Sequence, residues 1–266
     1  MSGKASVDLE LIEDLMDRAW PATVREDTGT WVLRAAGGVT QRANSVWPRR
    51  EADAPADALR DAGQWYRRQR LPLIFQVFDD ERSSGLNALL DEQRFTRQSE
   101  TLIMVKDAAP DVPVQFDAGP EGPAVEVSSS PSEEWLRLWW EVDGRGGDAE
   151  LGIARGILQG CPSVYVLVRN RDGGAAAVGR LAVPEGAGWG GLYAMATDRR
   201  HRRNGYASAV VTALLGEGRR LGLEGFWLLV TAGNPGAQAL YRKFGFSERG
   251  RYLYRQAPLK RAPGGC

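Results

Sequence analysis

The sequence predicts an α/β fold with crossover helices. Three observations predict it: apolar positions that change between helical and strand spacing, short β-rich runs that alternate with amphipathic segments, and a self-similarity at an offset of 151 residues. A chain of 266 residues, 43% hydrophobic, can build one large domain or two small ones, and no apolar run approaches the ~20 residues of a bilayer span. Lys+Arg and Asp+Glu both count 34, so the chain lacks the basic surplus of a nucleic-acid-binding protein. Cys161 and Cys266 are too few for a disulfide framework, and "MSGKASVDLELIEDLMDRAW" is acidic and amphipathic, unlike a signal peptide. The expectation is a cytoplasmic protein with free thiols, no membrane partner and no metal.

Leu9, Leu11, Ile12, Leu15 and Met16 recur at helical spacing, and Trp20-Pro21 ends that helix. "TWVLRAAGGVTQRANSVWP" reads as two strands around a Gly-Gly turn. "ADALRDAGQWYRRQR" is helical, "LIFQVF" a buried strand, "GLNALLDEQ" a second helix and "TLIMVKD" a closing strand. "DAAPDVPVQFDAGPEGPAVEV", rich in Pro, Gly and Asp, reads as a linker that closes with the strand "AVEV", which places a domain boundary near residue 110.

Beyond it, Ser132 caps a helix over "SPSEEWLRLWWEVDG", and "DAELGIARGILQ" forms another. "SVYVLVRN" and "AAAVGRLAVPEG" are strands joined by "RDGG", and "GGLYAMAT" is a third that runs into the basic stretch "DRRHRRNGYASAV". "YASAVVTALLGEGRRLG" is a helix, "FWLLVT" a buried strand, "PGAQALYRKFG" a helix and "GRYLYRQA" the last strand. Moving residues 30–104 by 151 positions without a gap lays hairpin on hairpin, helix on helix and strand on strand, with "SSGLNALLDEQRFT" on "NPGAQALYRKFGFS".

The segment "RRNGYA" at 202–207, between a strand and a helix, followed by Asn234 and "ALYRKFGF" at 239–246, resembles the GNAT superfamily of acetyl-CoA-dependent N-acyltransferases. The resemblance covers about residues 114–258, and 30–104 resemble the same core in reduced form. It implies a mixed-sheet fold in two repeats: residues 1–109 as a degenerate domain without an acyl-CoA site and 110–266 as the catalytic domain.

A turn that feeds a helix N-terminus exposes backbone N–H groups able to face an anion, so Arg202, Arg203, Asn204, Gly205, Tyr206, Ala207 and Ser208 are the candidates for the pyrophosphate of acetyl-CoA. Gly205 permits torsions that a Cβ forbids, and small Ala207 and Ser208 keep the first helical turn clear. His201 lies in this loop, away from where the resemblance puts the acceptor amine, and is not assigned to catalysis; Arg199 and Arg200 are read as solvated. The resemblance further implies that Met195 or Ala196 N–H holds the thioester oxygen and that the main chain of Met195 and Thr197 pairs with the pantetheine amides. It also implies that Asn234 bonds the pantetheine arm and Tyr241 protonates the leaving sulfur.

The strand before the loop offers no carboxylate, so Glu185, Tyr193 or a water path remain candidates for deprotonating the amine. Trp135, Leu138 and Trp139 share one helix face as core, while Trp139 or Trp140 could line an apolar acceptor pocket, since the resemblance puts the acceptor cleft near this helix. The offset of 151 lays "EADAPA" at 51–56 on "RRNGYA": Glu51 stands for Arg202, Ala54 for Gly205, and Pro55 removes an N–H, while Tyr241 falls on Leu90. The expected activity is transfer of an acetyl group to a primary amine of a small molecule, with a protein lysine as a variant. A noncatalytic acyl-CoA binder is the other class.

Overall fold

The computed structural model describes residues 7–108 and 123–258. In chain order they form α1 (Leu9–Ala19), β1 (Val24–Asp27), β2 (Trp31–Ala35), β3 (Trp47–Pro48), α2 (Pro55–Arg68), β4 (Ile74–Phe78), α3 (Ser84–Glu92), β5 (Thr96–Asp107), β6 (Val125–Ser128), α4 (Glu133–Asp143), α5 (Asp148–Gln159), β7 (Ser163–Arg169), β8 (Ala175–Ala182), β9 (Trp189–Thr197), α6 (Tyr206–Arg220), β10 (Gly225–Thr231), α7 (Pro235–Lys243) and β11 (Ser247–Gln256). The chain segregates into two compact units, and the division does not fall at one point in the sequence. Residues 7–21, 103–108, 123–230 and 234–249 make the first; 22–102, 231–233 and 250–258 make the second. The boundary expected near residue 110, most of the linker and Cys266 lie outside the described residues. The exchange of segments has a physical reason: α1 buries its apolar face in the first unit, and the second half of β11 pairs antiparallel with β4 in the second.

In the first unit, Asp8 caps α1 by accepting the Glu10 N–H at 3.1 Å, and Ile12, Leu15, Met16 and Ala19 form its buried face. The strands run β10-β9-β8-β7-β6; β9 and β10 are parallel and the other pairs antiparallel, which makes the sheet mixed. Ser132 caps α4 with its hydroxyl 3.1 Å from the Trp135 N–H. Trp135 is buried, and its indole N–H donates to Val166 O at 2.9 Å. Its truncation would cost about 3–5 kcal/mol. Packing of α6 needs Gly179 on β8, where a Cβ would stand 2.5 Å from Val210 Cγ1 and 2.6 Å from Met195 Sδ.

A fully buried arginine fastens α1 to this sheet. Arg180 on β8 donates from Nε to Ser163 Oγ at 2.9 Å and from Nη1 to Ala19 O at 3.0 Å, with its guanidinium 5.8 Å from the ring centroids of both Trp20 and Tyr193. Burial lowers its pKa. The aromatic faces and the C-terminal carbonyl of α1 replace part of the lost hydration.

In the second unit, β1-β2-β3 form an antiparallel sheet, and α2 and α3 cover a core that includes Trp31, Val46, Trp65, Phe75 and Leu90. The expected hairpin is looser than a Gly-Gly turn. Gly37 and Gly38 both have positive φ, but the loop runs to β3 and is held by Asn44 Oδ1, which accepts the N–H of Ala36 at 2.7 Å and of Gly38 at 2.8 Å. β1 was not expected, because "VRED" is exposed throughout and carries no apolar alternation.

The offset of 151 fits two helices and two strands and fails for the hairpins. An offset of 151 carries the first residues of α2, β4, α3 and β5 onto those of α6, β10, α7 and β11. Phe75 bridges Val46 in parallel as Phe226 pairs with Gly190, and the offsets are 151 for the first residues but 144 for the second. The gap-free register is therefore corrected: seven residues between strand and helix in the C-terminal copy have no counterpart in the N-terminal one.

Candidate active site

The site grows from the end of β9. The parallel ladder with β10 stops at Leu192–Leu228, although β9 continues to Thr197. In the antiparallel ladder with β8 the register shifts between Val178 and Arg180, so β9 holds one extra residue opposite Gly179, and Ala194 takes φ 50°. Beyond the bulge, Asp198 N–H donates to Ala176 O at 2.9 Å. Strand alternation then turns the N–H and C=O of Ala196 toward β8, and those of Met195 and Thr197 toward the edge that β10 has left. Of the two candidates for holding an oxygen, Met195 has its N–H on the open edge and Ala196 does not.

At Asp198 the chain enters a single 3-10 turn, Arg199–His201. The Asp198 carboxylate accepts the Arg200 N–H and guanidinium, and these bonds hold its pKa at about 2. Arg200, expected to be merely solvated, is thus paired while remaining exposed. Arg203 and Gly205 then adopt left-handed torsions, φ 65° and 82°, and α6 starts without a side-chain cap. Among the described residues, the N–H groups of Tyr206, Ala207 and Ser208 meet no acceptor, because the first intrahelical bond runs from Ala209 N to Gly205 O at 3.0 Å. Arg202, Arg203 and Asn204 are exposed around this concavity. Orphan donors, a helix N-terminus and local arginines suit a pyrophosphate.

Asn234 caps α7, with Oδ1 accepting Ala237 N–H at 3.1 Å, so its amide NH2 is what remains for a ligand. Two turns on, Tyr241 is 6% exposed and its ring meets Phe246 at 6.1 Å. Its hydroxyl has no hydrogen-bond partner among the described residues, and burial pushes its pKa up to about 12.

The remaining candidates separate. Trp139 is core, 3% exposed, and packs edge-on against Trp20 at 6.3 Å. Trp140 is half-buried: its indole covers Gly144, where a Cβ would lie 2.2 Å from the ring, and its N–H donates to Gly146 O at 3.3 Å, so it shapes the loop after α4. Tyr193 is buried, stacked on Trp20 at 5.5 Å, and its hydroxyl accepts the Trp227 indole N–H at 3.1 Å. Glu185 is exposed in the β8–β9 turn, where its carbonyl is held by Arg18. Beside the loop, Glu133, Glu134, Glu141 and Asp198, with Arg137 and Arg200, line a cavity of about 290 Å³. Sequence reasoning missed Asp198, whose signal was a helix-capping residue directly after a strand.

The sequence and the fold are similar to those of known proteins. Residues 7–255 match the family described as "Probable histone acetyltransferase Rv0428c C-terminal". The chain is 28% identical over 250 residues, 93% of its length and 98% of the relative's, to the uncharacterized N-acetyltransferase YobR of Bacillus subtilis (strain 168). Its fold is similar to that of a GCN5-related N-acetyltransferase from Kribbella flavida, with a TM-score of 0.69, 19% identity and 98% of each chain covered. It is also similar to that of a tandem GNAT protein from the clavulanic acid biosynthesis pathway, with a TM-score of 0.67, 14% identity, and 97% of this chain and 90% of that one covered. By its sequence match over nearly its whole length, the chain belongs to that Rv0428c C-terminal family, within the GNAT N-acetyltransferases.

Proposed function

We propose that the chain transfers an acetyl group from acetyl-CoA to a primary amine of a small molecule, within its first compact unit. The observation that carries this reading is the meeting of the open β9 edge at Met195 and Thr197 with the orphan N–H groups at the start of α6. The thioester supplies an activated acyl carbon: the amine forms the new C–N bond, the C–S bond breaks, one amine proton departs and the thiolate takes up a proton. Met195 N–H donates to the oxygen on which charge develops. Arg202, Arg203 and Asn204 surround the pyrophosphate, the N–H groups of Tyr206 to Ser208 bond it, and the Asn234 NH2 holds the arm between.

Tyr241 is neutral at pH 7 and able to donate. With its pKa at about 12 against about 8.5 for a simple thiol, full transfer to the thiolate is uphill by roughly 5 kcal/mol. Its supported role is a hydrogen bond to the departing sulfur, with protonation completed from water. The Tyr193 hydroxyl is engaged with Trp227 and Glu185 is remote along the strand from Met195, which favours a water path for the amine proton. Beside α4, Glu133, Glu134 and Asp198 are paired with Arg155, Arg169 and Arg200, and Glu141 is the carboxylate of that cavity with which a cationic acceptor would pair.

The N-terminal copy is read as carrying no acyl-CoA site. Ala54 before α2 has φ −127° and gives no side-chain cap, Pro55 lacks an N–H, and seven residues of the loop are missing. Protein lysine is the second acceptor reading, favoured by the histone-acetyltransferase description of the matched family. The test is thiol release from acetyl-CoA with a panel of small amines and with lysine peptides. Turnover on small amines supports the proposal and turnover on peptides alone supports the second reading. One-to-one binding of acetyl-CoA without transfer to any amine would make the chain a binder instead.

A further inference from the structure

Asn170 follows β7 at the turn into β8, and its side chain has a defined direction. Oδ1 accepts the backbone N–H of Asp172 at 3.0 Å and of Gly174 at 2.9 Å. These two bonds identify the other amide atom as nitrogen, whatever lies beyond it. That nitrogen is 3.2 Å from Nε2 of His201 in the cofactor loop. An amide NH2 can only donate, so Nε2 must present a lone pair, and in the neutral ring the proton sits on Nδ1.

Among the described residues, other groups also face the imidazole. From α6 the Tyr206 ring meets it edge-on at 5.9 Å. Asp198 accepts His201 N–H through its carbonyl at 2.9 Å, while its carboxylate is held by Arg200. Arg202 follows in the chain, and Arg171 and Asp172 are exposed on the β7–β8 turn.

We propose that Asn170 is a positioning residue of the cofactor loop: its amide fixes the Nδ1–H tautomer of His201 and, through that bond, ties the loop leading into α6 to the β7–β8 turn. The tautomer follows from the turn geometry alone; the consequence for acetyl-CoA rests on the site proposed above.

The chain contains one histidine, which makes its ring ¹⁵N signals unambiguous. At about pH 8, NMR of the full chain should show Nδ1 protonated and Nε2 bare. Asn170→Asp keeps the acceptor for both turn N–H groups but replaces the donor by a carboxylate oxygen. It should move the proton to Nε2. Asn170→Ala, which adds no charge near the phosphates, should lose the tautomer preference. Both variants should raise KM for acetyl-CoA roughly 3- to 10-fold and change kcat less than about 2-fold. Nε2–H in the wild type, an unchanged tautomer in Asn170→Asp, or an unchanged KM in both variants would each overturn the assignment. Absence of acetyl-CoA binding in the wild type would instead sink the cofactor reading, and the tautomer measurement would still decide what Asn170 does to His201.

Discussion

Asp198 and Arg200 are joined by the backbone N–H of Arg200 at 2.8 Å to Oδ1 and by its guanidinium, with Nε at 3.1 Å from Oδ1 and Nη2 at 2.6 Å from Oδ2. One of the four arginines before Gly205 therefore braces the loop. The carboxylate is 11% exposed and its partner 81% exposed, so the pair marks the border between the sheet and solvent.

Asp198→Asn should destabilise the protein by on the order of 1 kcal/mol and weaken acetyl-CoA binding through a looser loop. Because the folded-state pKa of Asp198 is depressed to about 2, its contribution is full above the unfolded carboxylate value and fades as pH falls toward about 2. Urea melts of wild type and variant at about pH 7 and about pH 3 check this: their difference should shrink on acidification.

Tyr241→Phe should reduce turnover about 10- to 100-fold, equivalent to roughly 1.4–2.7 kcal/mol, and leave KM for acetyl-CoA almost unaltered. Since the hydroxyl has no partner among the described residues, the melting temperature should not fall. With a pKa of about 12, ionisation of Tyr241 should leave the rate profile flat up to about pH 10. A pH–rate profile and a thermal melt of the same variant test both statements.

Titration calorimetry with CoA should give one site per chain. Arg202→Glu should weaken it by about 2 kcal/mol or more, close to 30-fold in Kd, by removing a charge-assisted contact and placing an anion beside the pyrophosphate. On the degenerate-copy reading, Glu51→Arg should change nothing, because Pro55 lacks an N–H and the connection before α2 is seven residues shorter than that before α6. Two equivalent sites would refute the degenerate-copy reading.

Gly191→Ala should cost about 1–3 kcal/mol, read as a lower urea midpoint. Its Cβ would stand 2.5 Å from both Trp227 Cζ2 and Tyr193 Cε2, two rings already linked by a hydrogen bond.

Where burial imposes a period, the sequence was readable. Ile12, Leu15 and Met16 announce α1, although Leu11, read on the same spacing, is exposed, and the β10-to-α7 order follows from its apolar runs and from Pro235 at the helix start. β1 carried no such signal, since Val24–Asp27 is exposed on every side chain. Spacing singled out the turn before α6 because Gly205 adopts φ 82°, a local demand that leaves a trace in the residue type. It could not assign the strand atoms: the bulge at Ala194 resets the alternation, and only the Asp198–Ala176 bond reveals which way Ala196 faces. Asn170 and His201, 31 positions apart, meet through tertiary structure alone.

Ala19 O and Arg180 Nη1 join positions 161 residues apart. During synthesis α1 therefore emerges from the ribosome with its apolar face uncovered and must wait for β8 and β9 before it can dock. A fragment beginning at residue 103 would leave a buried guanidinium and the Tyr193 ring facing water where Ala19 and Trp20 belong. Contacts of such sequence separation slow folding.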